Sequence, residues 1–98
     1  MKLMTKALEK QLPKLYETEG VELEEKVAYV KYFSPWMGWE WYGVEYDPEE
    51  KIFFGLVKGF EVEWGYFSLA EFEAINEEKG FAFIERDLYF EPTKIKDI

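Results

Sequence analysis

The chain has 98 residues, with 21 acidic against 12 basic side chains and a formal charge of −9. That balance argues against a protein that binds nucleic acid directly by neutralising phosphates, and it leaves basic or cationic partners open. Cysteine and histidine are both absent, which excludes disulfides, thiolate metal sites and the usual general base.

One domain spanning residues 1–98 is expected at this length. No run approaches the ~18 apolar residues that cross a bilayer, and the opening MKLMTKALEK is charged and lacks a long apolar leader. The expectation is a soluble, cytoplasmic protein with no membrane partner. A fifth of the residues are aromatic; each ring buries a large area, so a core can be completed with rings left over for the surface. Glu and Lys dominate the polar residues, while Gln11 and Asn76 are the only side-chain amides, a bias shared with thermophile proteins.

Thr5 is placed to cap a first helix whose Ala7, Leu8, Leu12 and Leu15 lie near one face. Pro13 ends it near Gln11, because the ring clashes with the carbonyl of Glu9 and disfavours helical geometry at Leu12. The acidic stretch ETEGVELEE reads as a solvated loop. Lys26 to Phe33 carries apolar residues on both alternating sets, predicting a central strand covered on both faces. A turn over Ser34 to Gly38 leads into a second strand, Trp39 to Tyr46, whose alternation puts Trp39, Trp41 and Glu45 on one side and Glu40, Tyr42, Val44 and Tyr46 on the other.

Asp47-Pro48-Glu49-Glu50 suits a type I turn. A third strand covers Lys51 to Lys58, and Phe60, Val62, Trp64 and Tyr66 alternate with Glu61, Glu63 and Gly65 in a fourth. Ser68 and Glu71 then form a capping-box pair, flanked by Phe67 and Phe72 as an apolar staple. The second helix is expected from Leu69 to Asn76 with Gly80 as its left-handed stop. Phe81 to Phe90 reads as a last extended segment, and the tail TKIKDI as loosely held. The fold class that follows is α+β: an antiparallel meander of four to five strands with two short helices packed on it.

The ordered pieces TKALEKQLPKLYETEG, VKYFSP, WEWYGVEYDPEE, FFGLVKGFEVEWGYFSLAEFE and IERDLYFEP resemble domain-of-unknown-function family 2958, a set of small bacterial and plasmid-associated proteins. The resemblance covers nearly the whole chain, and GYFSLAE and ERDLYFEP are its most specific parts. It implies no catalytic residues. The link to mobile elements implies accessory roles such as plasmid maintenance or interference with host defence.

Three groups of residues carry chemistry. Glu45, Asp47, Glu61 and Glu63 could supply oxygen ligands to Mg²⁺, Mn²⁺ or Ca²⁺, although in a meander their strands lie about 9 to 10 Å apart and such alternation is the ordinary pattern of a half-exposed strand. Arg86, the sole arginine, has a planar fork suited to a carboxylate or phosphate. A structural ion pair with Glu61, Glu63 or Glu71 is the plainer role. In a strand, Glu85 and Asp87 point away from it. Trp36, Trp39, Trp41 and Tyr42 form the aromatic surplus, suited to core packing or to a protein-facing patch. Ser34 and Ser68 have no histidine base, so nucleophilic catalysis has no support.

The resulting functional expectation is a non-enzymatic protein–protein interaction module without a cofactor, using Trp36, Trp39, Trp41, Tyr42 and Arg86 toward a protein partner or a second copy of the chain. Two alternatives stand beside it. One is an acidic mimic of nucleic acid that occupies a host enzyme's DNA site. The other is a divalent-metal enzyme built on the four carboxylates.

Overall fold

The computed structural model describes residues 2–98. Helix α1 (Lys6–Gln11) begins where Thr5 Oγ1 accepts from the Leu8 N–H at 3.1 Å and ends before Pro13, as its capping and proline signals require. Strands follow as β1 (Val27–Ala28), β2 (Val30–Ser34), β3 (Trp39–Asp47), β4 (Ile52–Lys58) and β5 (Val62–Ser68). Helix α2 (Leu69–Lys79) leads to β6 (Glu85–Arg86) and β7 (Thr93–Lys94). The main sheet is antiparallel in the order β5-β4-β3-β2-β6, and β1 pairs with β7 in a separate two-stranded piece. The α+β class and the meander β2 to β5 match the expectation.

Each face of the sheet carries its own apolar cluster. On the first face Leu3, Leu12, Val30, Tyr32, Trp41, Tyr46, Phe53 and Phe67 meet Leu69 and Phe72 of α2. Phe72 lies 4.8 Å from the Trp41 ring and 5.4 Å from Tyr32, edge to face, and Phe53 stacks on Phe67 at 5.0 Å. The second face is covered by Ala28, Tyr42, Val44, Leu56 and Ile95. Helix α2 docks through the corner at Ser68, whose Oγ accepts from the Glu71 N–H at 3.1 Å. Gly80 ends it in the left-handed conformation at φ 77°. The helix runs one turn beyond the expected Asn76. That residue instead clamps the chain behind it: its amide donates to the Ile84 carbonyl at 2.9 Å and accepts from the Ile84 N–H at 2.8 Å.

The expectations for three further segments are also corrected. The strand Lys26 to Phe33 divides at Tyr29, because β3 changes register beyond Gly43 and its partner strand peels away to pair with β7. The tail is not loose. Ile95 is buried on the second face, its N–H donates to the Lys26 carbonyl at 2.9 Å, and Lys94 and Lys96 each reach Glu25 at 3.0 Å. The last extended segment shrinks to Glu85–Arg86, because Asp87 turns the chain by accepting from the Tyr89 N–H at 2.9 Å.

The register change in β3 is a bulge between Gly43 and Glu45, one extra residue on one strand. Up to Gly43 the alternation is regular, with Trp41 on the first face and Tyr42 on the second. Beyond it Tyr46 returns to the first face, 4.5 Å from the Phe53 ring. Glu45 pairs with Phe54, whose ring stacks on Trp64 of the second face. The expected grouping of Glu45 with Trp39 and Trp41, and of Tyr46 with Tyr42, is thereby reversed. Burial pushes the Tyr46 phenol up to about 12, with Glu9, Glu73 and Asp47 adding to it.

The bulge needs glycine opposite it. Gly43, Gly55 and Gly65 lie in one row across β3, β4 and β5. A Cβ on Gly55 would stand 1.8 Å from the Tyr42 carbonyl oxygen, a backbone atom that cannot swing aside, whereas a Cβ on Gly65 meets nothing within 4 Å. Gly55→Ala is therefore expected to cost about 3 kcal/mol or more, and Gly65→Ala to stay within about 1 kcal/mol of the parent. Urea unfolding of the two variants checks this, and equal midpoints would contradict it.

Candidate interaction surface

The four aromatic residues singled out in the sequence do not share a surface. Trp41 is buried on the first face and Tyr42 on the second. The Tyr42 hydroxyl donates to Glu40 Oε1 at 2.7 Å, and Lys31 and Lys58 lie over its ring at 5.6 and 5.7 Å. Burial and that bond to Glu40 push the Tyr42 phenol up, and the same bond pulls Glu40 down. Trp39 is half-buried, and Trp36, in the β2–β3 turn, is 67% exposed.

Other exposed aromatics share the end of the sheet that carries Trp36. The β2–β3 turn, the β4–β5 turn and the segment between α2 and β6 all lie at one end of the antiparallel sheet. They present Trp36 and Met37, Phe60, and Phe81 respectively, all exposed, with Phe60 95% exposed. Trp36 packs edge to face on Phe81 at 5.5 Å, and Phe60 on Trp39 at 5.3 Å. Trp39 in turn leans over Gly59, where any Cβ would come within 2.7 Å of its ring. Phe60, expected to open the fourth strand with Val62, Trp64 and Tyr66, instead precedes β5 and stands exposed in the β4–β5 turn.

Arg86 pairs in register with Tyr32, the middle residue of β2. Its Nε donates to the Lys2 carbonyl at 3.0 Å, and the Tyr32 hydroxyl donates to the Leu3 carbonyl at 2.6 Å. Together they hold the N-terminal segment across the first face. With Glu85, Asp87 and Tyr89, Arg86 also lines a shallow cavity of about 330 Å³.

The four carboxylates are not assembled. Asp47 accepts from the Glu49 N–H at 3.0 Å in the turn after β3, and Glu61 and Glu63 are exposed at the start of β5. Among the described residues no group of three or more such side chains is placed to hold a metal ion. Glu45 has a different task. It is 3% exposed, and its Oε1 accepts from the Tyr16 N–H at 2.8 Å. Its Oε2 accepts from the Thr18 N–H at 3.1 Å and from the Thr18 hydroxyl. Lys26, 5% exposed, donates to the Thr18 carbonyl and, at 2.8 Å, to the Thr18 hydroxyl.

Thr18 thus stands between a buried carboxylate and a buried ammonium, and the Tyr46 N–H adds a bond to the Pro13 carbonyl at 2.8 Å. The segment Pro13 to Thr18 is held against β3, with Tyr16 in the left-handed conformation at φ 69°. This network was illegible in the sequence, where Glu45 alternates like any strand glutamate and Thr18 sits in an acidic loop.

Fold and surface define a small α+β protein with an aromatic loop end, an acidic balance and a carboxylate-anchored loop. The chain belongs to the family of proteins of unknown function DUF2958, whose model matches residues 3–96. No curated protein and no solved structure matches it. No helix among the described residues is long and apolar enough to cross a membrane.

Replacing Glu45 by Gln presents an NH₂ group to donors that now meet a carboxylate. Glu45→Gln is expected to lower stability by about 2 kcal/mol, within the range for hydrogen bonds to a charged group. Thr18→Val is expected to cost about 1 kcal/mol or more, since it also strips Lys26 of an acceptor. Chemical denaturation of both variants measures this; an unchanged midpoint for Glu45→Gln would show that the carboxylate does not hold the loop.

Proposed function

We propose that the protein is a non-enzymatic interaction module that docks on another protein through the aromatic end of its sheet. The observation that supports this is the exposure of Trp36, Met37, Phe60 and Phe81 on three separate loops at the same end of the sheet. Rings at loop tips leave water only when a partner covers them, and Trp and Phe at the centre of an interface are the residues that most often dominate its energy. Trp36 and Phe81 pack on each other and Phe60 packs on the half-buried Trp39, which limits the side-chain entropy lost on binding.

Glu61 and Glu63 flank Phe60, and the overall charge is −9. A partner with an apolar centre and a basic rim therefore matches this surface better than a second acidic copy does.

The test combines light scattering with quantitative binding of whatever partner is recovered, for the parent and for the triple variant Trp36→Ala, Phe60→Ala, Phe81→Ala. The expected result is a monomer whose partner binds at least roughly tenfold more weakly once the rings are gone, at unchanged unfolding midpoint. Undiminished binding by the triple variant would reject this surface.

A further inference from the structure

At the opposite end of the sheet, beside the β3–β4 turn, the second face holds a cavity of about 340 Å³. Three aromatic side chains line it: Tyr16 from the anchored loop, Phe54 from β4 and Tyr66 from β5. The two tyrosine hydroxyls meet at 3.4 Å, and Phe54 packs against Tyr66 at 5.3 Å. Val21 and Leu23 complete the wall, and four of these five residues are large apolar side chains left exposed. The charged lining is unequal. Glu19, Glu22 and Glu45 face the cavity with a single cation, Lys26, whose ammonium already donates to the carbonyl and hydroxyl of Thr18.

We propose that this cavity binds a cationic group carried on an apolar stem, of the kind presented by a lysine or arginine side chain. Aromatic walls attract a cation through their electron-rich faces while the apolar residues cover its stem. Three carboxylates against one occupied ammonium set the sign of the charge that is welcome. A cavity of this size admits one such side chain. Glu45 Oε1 accepts a single bond, from Tyr16, and so retains an acceptor direction for it. The site is separate from the aromatic loop end and does not depend on it.

Titration of the ¹⁵N-labelled protein with n-butylammonium and n-butylguanidinium, against n-butanol and butyrate, tests the proposal. Saturable amide shifts at Tyr16, Thr18, Phe54 and Tyr66 are expected, with a Kd in the millimolar range appropriate to so small a ligand. Butanol and butyrate should bind at least roughly tenfold more weakly, and Tyr66→Ala should weaken the cations by a similar factor. The exposed rim pair Glu19→Gln with Glu22→Gln leaves the packing intact and should weaken them roughly threefold. Shifts absent at millimolar cation, butyrate or butanol binding as tightly as the cations, or a rim pair without effect would each overturn it.

Discussion

The bulge at Val44 is the constraint on which the rest of the structure depends. A strand of nine residues has room for only two sets of side chains, and the extra residue between Gly43 and Glu45 exchanges the sets halfway along. Without it, Tyr46 would leave the Phe53 ring and Glu45 would enter the aromatic cluster beneath α2. With it, Tyr46 completes the first core, and Glu45 meets the one segment of chain that offers it donors. The exchange is possible because Gly55 lets the Tyr42 carbonyl approach where any side chain would collide.

From that exchange follow the loop and the cavity. A buried carboxylate is costly unless its oxygens are hydrogen-bonded, and Glu45 obtains its bonds from the backbone of Tyr16 and Thr18 and from the Thr18 hydroxyl. Lys26 balances the charge through Thr18, so neither group is left without partners. The loop so anchored stands over Phe54 and Tyr66 instead of lying flat on the sheet, and the space between them is the acidic, aromatic-walled cavity. The other end of the sheet is built by simpler means, turns that each leave one ring in water.

What was legible in the sequence follows the range of each signal. Thr5, Ser68 and Gly80 act within a few residues of themselves, and the two helices begin and end as those signals require. The alternation of β2, β4 and β5 and the short turns between them specify the meander. The bulge left only faint traces in WEWYGVEY: a glycine inside the strand, and two glutamates, Glu40 and Glu45, that fall on opposite alternating sets with apolar residues on both sets between them. The partners of Glu45 come from 27 and 29 residues away, and the acceptor of the Ile95 N–H is the carbonyl of Lys26, just before β1. Both depend on where the chain is brought in space. The grouping of the aromatics has the same cause: Trp36, Trp39, Trp41 and Tyr42 are neighbours in sequence, whereas alternation sends Trp41 and Tyr42 to opposite faces and the ring that packs on Trp36, Phe81, comes from another loop.

The most direct test of this account is native-state hydrogen exchange at the amides of Tyr16 and Thr18, two donors in a surface loop outside any regular element. If the bulge turns Glu45 inward to hold them, they exchange within about tenfold of the ladder amides of Phe53 and Phe67 and lose that protection in Glu45→Gln. Exchange at the rate of an unstructured peptide in the parent protein would contradict it.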